Sequence, residues 1–249
     1  MNIYTRNLER REFVVTMGCT GKCRHCSEGS HVFGGEHIDG ETAARAVAEV
    51  CRHYDIKSLM TFGGEPLLYP EAVCCIHRAA ALAGIPRREL ITNGFFSRDK
   101  KRIREAAEML SDSGVNRIML SVDAFHQETI PLEPVEYFAE CVRESGVPIE
   151  VHPAWLVSAE SDNPYNLRTR ELLERFERMG FGADEGNVIF PQGNAKKFLA
   201  EYFKDTEEPK NPYEDDPHDI RALCFEPDGG VLGGNICKND IMDIIEAYR

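Results

Sequence analysis

The chain has 249 residues, which is enough for one large domain with a hydrophobic core, and α/β barrels of this size fold as single units. Its 42 acidic and 29 basic side chains give a net charge of −13, which disfavours binding to nucleic acid and suits a neutral or basic substrate. Because the first residues lack a basic-then-apolar signal and no apolar stretch could cross a bilayer, we expect no membrane partner and a cytoplasmic location, where thiols stay reduced.

Strand and helix patterns alternate along the first three quarters of the chain. The predicted strands cover residues 13–17, 58–62, 89–92, 117–122, 149–157 and 187–190. The predicted helices cover residues 43–50 (begun by Asp39 or Thr42), 69–83, 101–113, 135–145 and 166–179. Six such steps indicate parallel strands joined by helical crossovers. The predicted fold class is therefore α/β, a partial (β/α)6 TIM-like barrel, because the pattern does not supply the two further units of a closed eight-stranded barrel.

The pattern changes after residue 194, so we predict a barrel domain over 1–194 and a C-terminal extension over 195–249. The extension begins with a helix over 195–203 and an acidic, proline-rich loop over 205–217, which is expected to be exposed or mobile. Residues 222–225 and 231–232 are predicted to form a short hairpin around the Asp-Gly turn at 227–230. A short helix over 241–248 follows.

Three cysteines lie within eight residues after the first strand: Cys19, Cys23 and Cys26. Three thiolates on one tight loop can hold three irons of a cubane cluster and leave the fourth iron open to a small molecule, whereas an ordinary iron–sulfur protein fills all four corners. A structural zinc site is the alternative, but such sites often use two CxxC pairs and the chain has no second pair. A disulfide framework is not expected, because the chain is not a short secreted domain.

A second motif, Gly63-Gly64-Glu65-Pro66, follows the second predicted strand. Two glycines let a backbone approach a ligand closely, and a carboxylate can accept hydrogen bonds from an ammonium group. Both motifs fall at the carboxyl end of a predicted strand, which is where α/β proteins place their chemistry.

The CxxxCxxC spacing, with Gly-Gly-Glu-Pro one strand–helix step later, resembles the signature of radical S-adenosylmethionine (SAM) enzymes over residues 11–194. The resemblance implies that Cys19, Cys23 and Cys26 hold a [4Fe-4S] cluster, which passes an electron to SAM and yields a 5′-deoxyadenosyl radical. The radical then abstracts hydrogen from a peptide or small-molecule substrate, and the electron comes from a donor such as flavodoxin or ferredoxin. His25 departs from the family pattern, which often has an aromatic residue before the third cysteine.

The resemblance also implies which residues contact SAM. In the family, the segment that corresponds to Gly63, Gly64 and Glu65 binds the amino group of SAM. Further contacts are expected at the ends of the third and fourth predicted strands, from Asn93, Ser121 and Asp123. The end of the sixth strand, residues 190–194, often contacts the adenine in the family, but a simple strand-to-helix turn is the slightly favoured interpretation here.

Two residues are candidates for catalysis. His126 could donate or accept a proton, because the charge of histidine changes near neutral pH, and a capping role is an equal alternative. The segment that begins at Cys224 resembles a shortened form of the C-terminal extension of peptide-modifying (SPASM-type) members. Because Cys224 and Cys237 are too few for a second four-iron cluster, Cys224 is predicted to act covalently or as a hydrogen-atom donor. His152 is interpreted as a core or capping residue, and buried positions on helices are predicted for Cys51, Cys74, Cys75 and Cys141.

Two other functions stay open at this point. An activase that installs a glycyl radical on a partner protein would suit the length, but the local motifs of those enzymes are not found around the cysteines. A non-catalytic iron–sulfur or zinc scaffold would leave the placement of Gly-Gly-Glu-Pro unexplained.

Overall fold

The computed structural model describes residues 2–31, 33–204 and 216–249, so most of the predicted acidic loop (205–215) lies outside the described residues. The strands in these ranges are β1 (Arg10–Val14), β2 (Ser58–Phe62), β3 (Arg87–Thr92), β4 (Arg117–Leu120), β5 (Ile149–Val151), β6 (Ala154–Trp155), β7 (Asn187–Val188), β8 (Ala222–Phe225), β9 (Gly230–Val231) and β10 (Gly234–Asn235). The α-helices are α1 (Gly40–Cys51), α2 (Pro70–Leu82), α3 (Lys100–Asp112), α4 (Ala124–Gln127), α5 (Leu132–Glu144), α6 (Pro164–Arg178), α7 (Gly193–Phe198) and α8 (Ile241–Ala247). Among the described residues, no helix combines the length and the apolar character needed to span a membrane.

The main sheet contains six strands in the order β5-β4-β3-β2-β1-β8, and every neighbouring pair is parallel. Helices α1, α2, α3 and α5 cross over between consecutive strands from β1 to β5. Each of these helices buries an apolar side chain completely in the main core: Val47, Ile76, Leu110 and Phe138. The parallel sheet with helical crossovers confirms the predicted α/β class.

Side-chain caps fix where the helices begin. Asp39 accepts a hydrogen bond from the backbone N–H of Thr42 at 2.8 Å, so of the two predicted starts Asp39 is the N-cap of α1. Asp99 caps α3 in the same way through the N–H of Lys101 at 2.9 Å. Both caps satisfy backbone donors that have no partner within the helix.

The predicted fifth strand, 149–157, is divided into β5 and β6. Pro153 lies at the break, where it has no N–H to donate to a sheet. β6 pairs with β7 in a separate two-stranded parallel sheet, so the predicted sixth strand does not join the main sheet. At the break, His152 donates from Nδ1 to Asp184 at 2.8 Å and its Nε2 accepts from Asn187 Nδ2 at 2.8 Å. His152 therefore has the structural role expected of it.

The predicted pairing of residues 222–225 with 231–232 is wrong. β8 instead lies beside β1 in the main sheet, with Phe225 opposite Phe13, and the short antiparallel hairpin is formed by β9 and β10. The physical reason is burial: Leu223 and Phe225 are fully buried, and the Phe225 ring stacks on Phe13 at a centroid distance of 4.5 Å. The two side chains alternate with the exposed Cys224, and pairing with β1 places their shared face in the main core.

A second, smaller core lies apart from the main one. It joins α4, β6, α7 and the segments around them, and its buried members are Phe125, Ala154, Leu156, Ile189, Ala195, Leu199 and Phe203. The predicted helix over 195–203 supplies three of these side chains, although it is divided into α7 and a 3₁₀ helix at Ala200–Phe203.

We predict that Phe225→Ala lowers the free energy of unfolding by about 3–5 kcal/mol, because it removes a fully buried ring and leaves a cavity against Phe13. Urea denaturation of the unloaded protein measures the change. The control is Phe198→Ala, whose ring is 47% exposed and should cost no more than about 0.5 kcal/mol. Equal losses in the two variants would contradict the docking of β8 on β1.

Candidate active site

The cysteine loop follows β1 at the carboxyl edge of the main sheet, where β2, β3 and β4 also end. Cys23 is buried, while Cys19 and Cys26 are half-buried, and none of the three forms a disulfide. One loop therefore presents three free sulfurs at the edge of the sheet that carries the other predicted site residues.

The two glycines of Gly-Gly-Glu-Pro bring the end of β2 against the start of the cysteine loop. The N–H of Gly64 donates to Thr16 O and the N–H of Glu65 donates to Gly18 O, both at 2.8 Å. A Cβ on Gly64 would lie well under 3.0 Å from Gly18 O, and Gly63 has a φ of 140°, which disfavours other residues. The sequence reasoning expected these glycines to admit a ligand, and it missed the backbone approach that they make to Thr16 and Gly18.

Glu65 is fully buried and connects the ends of β2 and β3. Its Oε1 accepts from Leu67 N at 2.9 Å and from Thr92 Oγ1 at 2.7 Å, and its Oε2 accepts from Asn93 N at 2.9 Å. Burial raises the pKa of Glu65 to about 7, while these hydrogen bonds act in the opposite direction. The carboxylate is thus held in one orientation at the base of the site.

Asn93 joins the end of β3 to the cysteine loop. Its Nδ2 donates to Thr20 Oγ1 at 3.2 Å and lies 3.6 Å from Cys19 Sγ. Thr20 in turn donates to Phe95 O at 2.6 Å. The side chain of Asn93 therefore lies beside a predicted cluster ligand, at the edge where SAM contacts were expected.

Asp123 and His126 form a hydrogen-bonded pair after β4. Oδ1 of Asp123 caps α4 by accepting from the N–H groups of Phe125 and His126, and Oδ2 accepts from His126 Nδ1 at 2.7 Å and Ala154 N at 3.1 Å. Burial alone would raise the pKa of Asp123, but the imidazole and these donors hold it below its usual value. Ser121 is also buried, and its backbone N–H donates to Thr92 O at 2.9 Å at the same edge of the sheet.

His25 packs as an aromatic residue inside the cysteine loop. Its ring centroid lies 5.0 Å from that of Phe125 and 4.8 Å from that of His126. Burial, with a smaller contribution from the nearby His126, lowers the pKa of His25 to about 4, so the ring is neutral at pH 7. The family's preference for an aromatic side chain at this position is met by a neutral imidazole.

The family model described as “Radical SAM superfamily” matches residues 13–151, which is more than half of the chain. The chain belongs to the radical SAM superfamily. The match contains both the cysteine loop and Gly-Gly-Glu-Pro.

The relatives that this chain matches include GTP 3′,8-cyclases. A probable GTP 3′,8-cyclase from Saccharolobus islandicus is 28% identical over 205 residues, covering 80% of this chain and 63% of that protein. The GTP 3′,8-cyclase from Moorella thermoacetica is 26% identical over 127 residues, covering 50% of this chain and 38% of that protein. The chain thus spans less than two thirds of the length of these relatives.

Solved structures of radical SAM proteins share the fold. A structure described as anSMEcpe with bound AdoMet has a TM-score of 0.60 at 17% identity, covering 96% of this chain and 77% of that one. Streptococcus suis SuiB bound to S-adenosylmethionine also has a TM-score of 0.60, at 13% identity, covering 98% of this chain and 69% of that one.

The three free sulfurs, with polar groups beside Cys19 and Cys26, fit the cluster that radical SAM proteins bind. Burial raises the pKa of Cys19 to about 11 and also raises the pKa of Cys23, so bound iron would be needed to keep them as thiolates at neutral pH. The N–H of Gly21 donates to Cys19 Sγ at 3.3 Å. His31 Nε2 lies 3.1 Å from Cys26 Sγ, and its Nδ1 donates to a backbone carbonyl. The sequence reasoning missed His31, because its spacing from Cys26 carries no recognisable chemistry by itself.

Cys224 lies on β8 opposite Glu12 of β1. The residue is exposed, yet desolvation of its sulfur by the surrounding chain and the nearby carboxylates of Glu12, Glu226 and Glu28 raise the pKa of its thiol to about 12. Of these carboxylates, Glu28 lies two residues after Cys26 on the chain. Cys237 is exposed two residues after β10, and its Sγ lies 3.7 Å from Asp228 O.

We predict that Glu65 makes the stability of the unloaded protein depend on pH. Since folding raises the pKa of Glu65 from 4.5 to about 7, the folded chain binds the proton more tightly, and the free energy of unfolding falls as the pH rises between these values. The stabilisation by Glu65 is fully present below pH 4.5, and roughly 3 kcal/mol of it is lost as the pH rises to about 7. In Glu65→Gln this pH dependence disappears, whereas Glu105→Gln, on an exposed side chain of α3, leaves it unchanged. Urea denaturation at several pH values measures the free energy of unfolding. Parallel plots of that free energy against pH for wild type and Glu65→Gln would contradict a role for Glu65.

Proposed function

We propose that this protein is a radical SAM enzyme in which Cys19, Cys23 and Cys26 hold a [4Fe-4S] cluster that binds SAM. The observation that carries the proposal is the position of three free sulfurs on one loop at the carboxyl edge of the sheet, with two N–H donors at Cys19. Family membership supports the same assignment. When bound, the cluster and SAM supply hydrogen-atom abstraction, with the electron delivered by a small donor protein such as flavodoxin or ferredoxin.

The residues around the loop would bind and orient SAM. Gly63, Gly64 and Glu65 are proposed to receive its amino group, since Glu65 Oε2 accepts one hydrogen bond from the chain and a carboxylate oxygen can accept a second. Asn93 and Ser121 are proposed to contact SAM from the ends of β3 and β4. Asp123 would act at the same edge, where it also holds α4 and the imidazole of His126.

His126 is proposed to accept a proton from the substrate. Asp123 is ionised and can only accept hydrogen bonds, so Nδ1 of His126 carries the proton of their shared bond. A ring that carries only this proton keeps a lone pair on Nε2. The side chain of His126 is 16% exposed, so it is not sealed from a ligand.

A peptide is the favoured substrate class, with a small molecule as the second candidate. The carboxylates of Glu12, Glu28 and Glu226 surround Cys224 and would repel a triphosphate such as that of GTP, while they suit a neutral or basic peptide. Two solved structures with the same fold contain peptides, SuiB with the precursor peptide SuiA and anSMEcpe with the Cp18Cys peptide. The GTP 3′,8-cyclases favour the small-molecule alternative.

We predict that the anaerobically reconstituted protein forms 5′-deoxyadenosine from SAM and dithionite, and that Cys23→Ala abolishes the product because one iron loses its ligand. Cys75→Ala, on a half-buried cysteine of α2, is the control and keeps the activity. Chromatography of the quenched reaction measures the product. A formed cluster that neither cleaves nor binds SAM would contradict the proposal and favour a non-catalytic scaffold, while SAM binding without cleavage would indicate that a substrate or an activase partner is required.

We predict that Cys224 donates a hydrogen atom within the site. In D₂O its S–D bond would break and deuterium would pass to 5′-deoxyadenosine formed without substrate, leaving a sulfur radical that dithionite reduces. The deuterated fraction, measured by mass spectrometry, should fall in Cys224→Ala and stay unchanged in Cys237→Ala. An equal fraction in all three proteins would show that Cys224 does not fill this role. In the same assay His126→Gln should still form 5′-deoxyadenosine, because the proton acceptor proposed for His126 acts on the substrate and not on SAM.

A further inference from the structure

We propose that Asn194 is a positioning residue for the iron–sulfur cluster, a role that rests on the proposed function. Asn194 is only 8% exposed and lies at the second position of α7, far along the chain from the cysteines. Its backbone N–H donates to Cys26 O at 2.9 Å. Its Nδ2 donates to Cys23 O at 3.1 Å and to Gly29 O at 3.0 Å. One buried side chain and its own N–H thus hold three carbonyl groups of the segment that carries two of the three ligands.

Gly193 lets α7 approach the loop closely enough for these bonds. It has a φ of 50°, in the left-handed region that favours glycine. A Cβ at this position would lie well under 3.0 Å from Ser27 O and Cys26 O. Close packing against the loop therefore explains the glycine at 193, and hydrogen bonding to the loop explains the asparagine at 194.

Packing of the neighbouring residues into the second core holds Asn194 in place. Ala195 and Leu199, which follow Asn194 on α7 and its extension, are fully buried in that core together with Phe125. Phe125 also packs against His25 inside the loop, and Arg24 Nη1 donates to Tyr165 OH at 3.3 Å. The part of the loop after Cys19 is thus held by residues of the second core, whereas Cys19 itself is held from β2 and β3.

Hydrogen bonds to the carbonyls of Cys23 and Cys26 fix the backbone from which the two thiolates project. Outer residues that orient ligands in this way typically change metal affinity by 10- to 100-fold when they are lost. The Asn194 amide can donate to two carbonyls at once, and an aspartate of the same size cannot donate at all. Asn194→Asp therefore removes both side-chain bonds and places a negative charge against two carbonyl oxygens.

Asn166 provides a matched control. It is fully buried, and its Nδ2 donates to the carbonyls of Leu156, Ser158 and Ser161 at 2.8–3.1 Å. Asn166→Asp thus loses the same kind of donor beside the second core without touching the cysteine loop. Gly193→Ala is a second test variant, because it disturbs the contact between α7 and the loop by steric clash and leaves the Asn194 amide intact.

The experiment reconstitutes wild type, Asn194→Asp, Gly193→Ala and Asn166→Asp with iron and sulfide. Circular dichroism first checks that each unloaded chain is folded. We expect a chelator to remove iron about 10- to 100-fold faster from Asn194→Asp than from wild type, with a faster loss also from Gly193→Ala and the wild-type rate from Asn166→Asp. The electron paramagnetic resonance spectrum of the reduced cluster should also change in Asn194→Asp.

The outcomes separate this inference from the proposed function. If wild type and Asn194→Asp hold iron equally and give the same spectrum, the positioning role is overturned while the cluster assignment stands. If Asn194→Asp and Asn166→Asp lose iron at the same faster rate, the effect is general destabilisation and the positioning role is again overturned. Wild type that takes up no cluster would contradict the proposed function itself. Should Asn194→Asp be unfolded, wild-type iron retention by folded Gly193→Ala would overturn the inference.

Discussion

The buried carboxylate of Glu65 is the interaction on which the candidate site depends. Burying a carboxylate is costly unless donors replace the lost water, and here two backbone N–H groups and the hydroxyl of Thr92 do so. Because those donors come from both the β2 and β3 ends, the carboxylate fixes the two strand ends relative to each other. The N–H of Glu65 also holds Gly18 O, so the start of the cysteine loop is fixed by the same residue.

The loop is held on its other side by a different hydrophobic core. Cys19 lies beside Asn93 of the main sheet, whereas the carbonyls of Cys23 and Cys26 are held by Asn194 on α7. A change in the packing of the second core would therefore alter the positions of Cys23 and Cys26 relative to Cys19. The geometry of the three sulfurs therefore depends on both cores. Within the strands described, the small β6–β7 sheet is not hydrogen-bonded to the main sheet.

The sequence predicted those features that local patterns determine. The apolar runs of β2, β3 and β4 and the caps of the intervening helices identified the parallel sheet, and the cysteine spacing identified the family. The position of β8 was not predictable in this way, because residues 222–225 next to an Asp-Gly turn have the same local pattern as a hairpin arm. Their pairing with β1 depends on the burial of Phe225 against Phe13, which is a contact between distant parts of the chain. The contacts of Asn194 with the cysteine loop were missed for the same reason, because they join positions that are far apart in the sequence.

Gly-Gly-Glu-Pro carries less functional information than its resemblance to the family suggests. The close approach of Gly64 to Gly18, and the hydrogen bonds of Glu65 to β3, give this motif a folding role that would exist without any ligand. The sulfurs of the three cysteines are different, because three half-buried or buried thiols at one edge of the sheet do not add to the core and have no disulfide partner among the described residues. The proposed metal cluster would account for their arrangement, which folding alone does not, and for this reason the cysteines, and not the glycine motif, carry the proposed function.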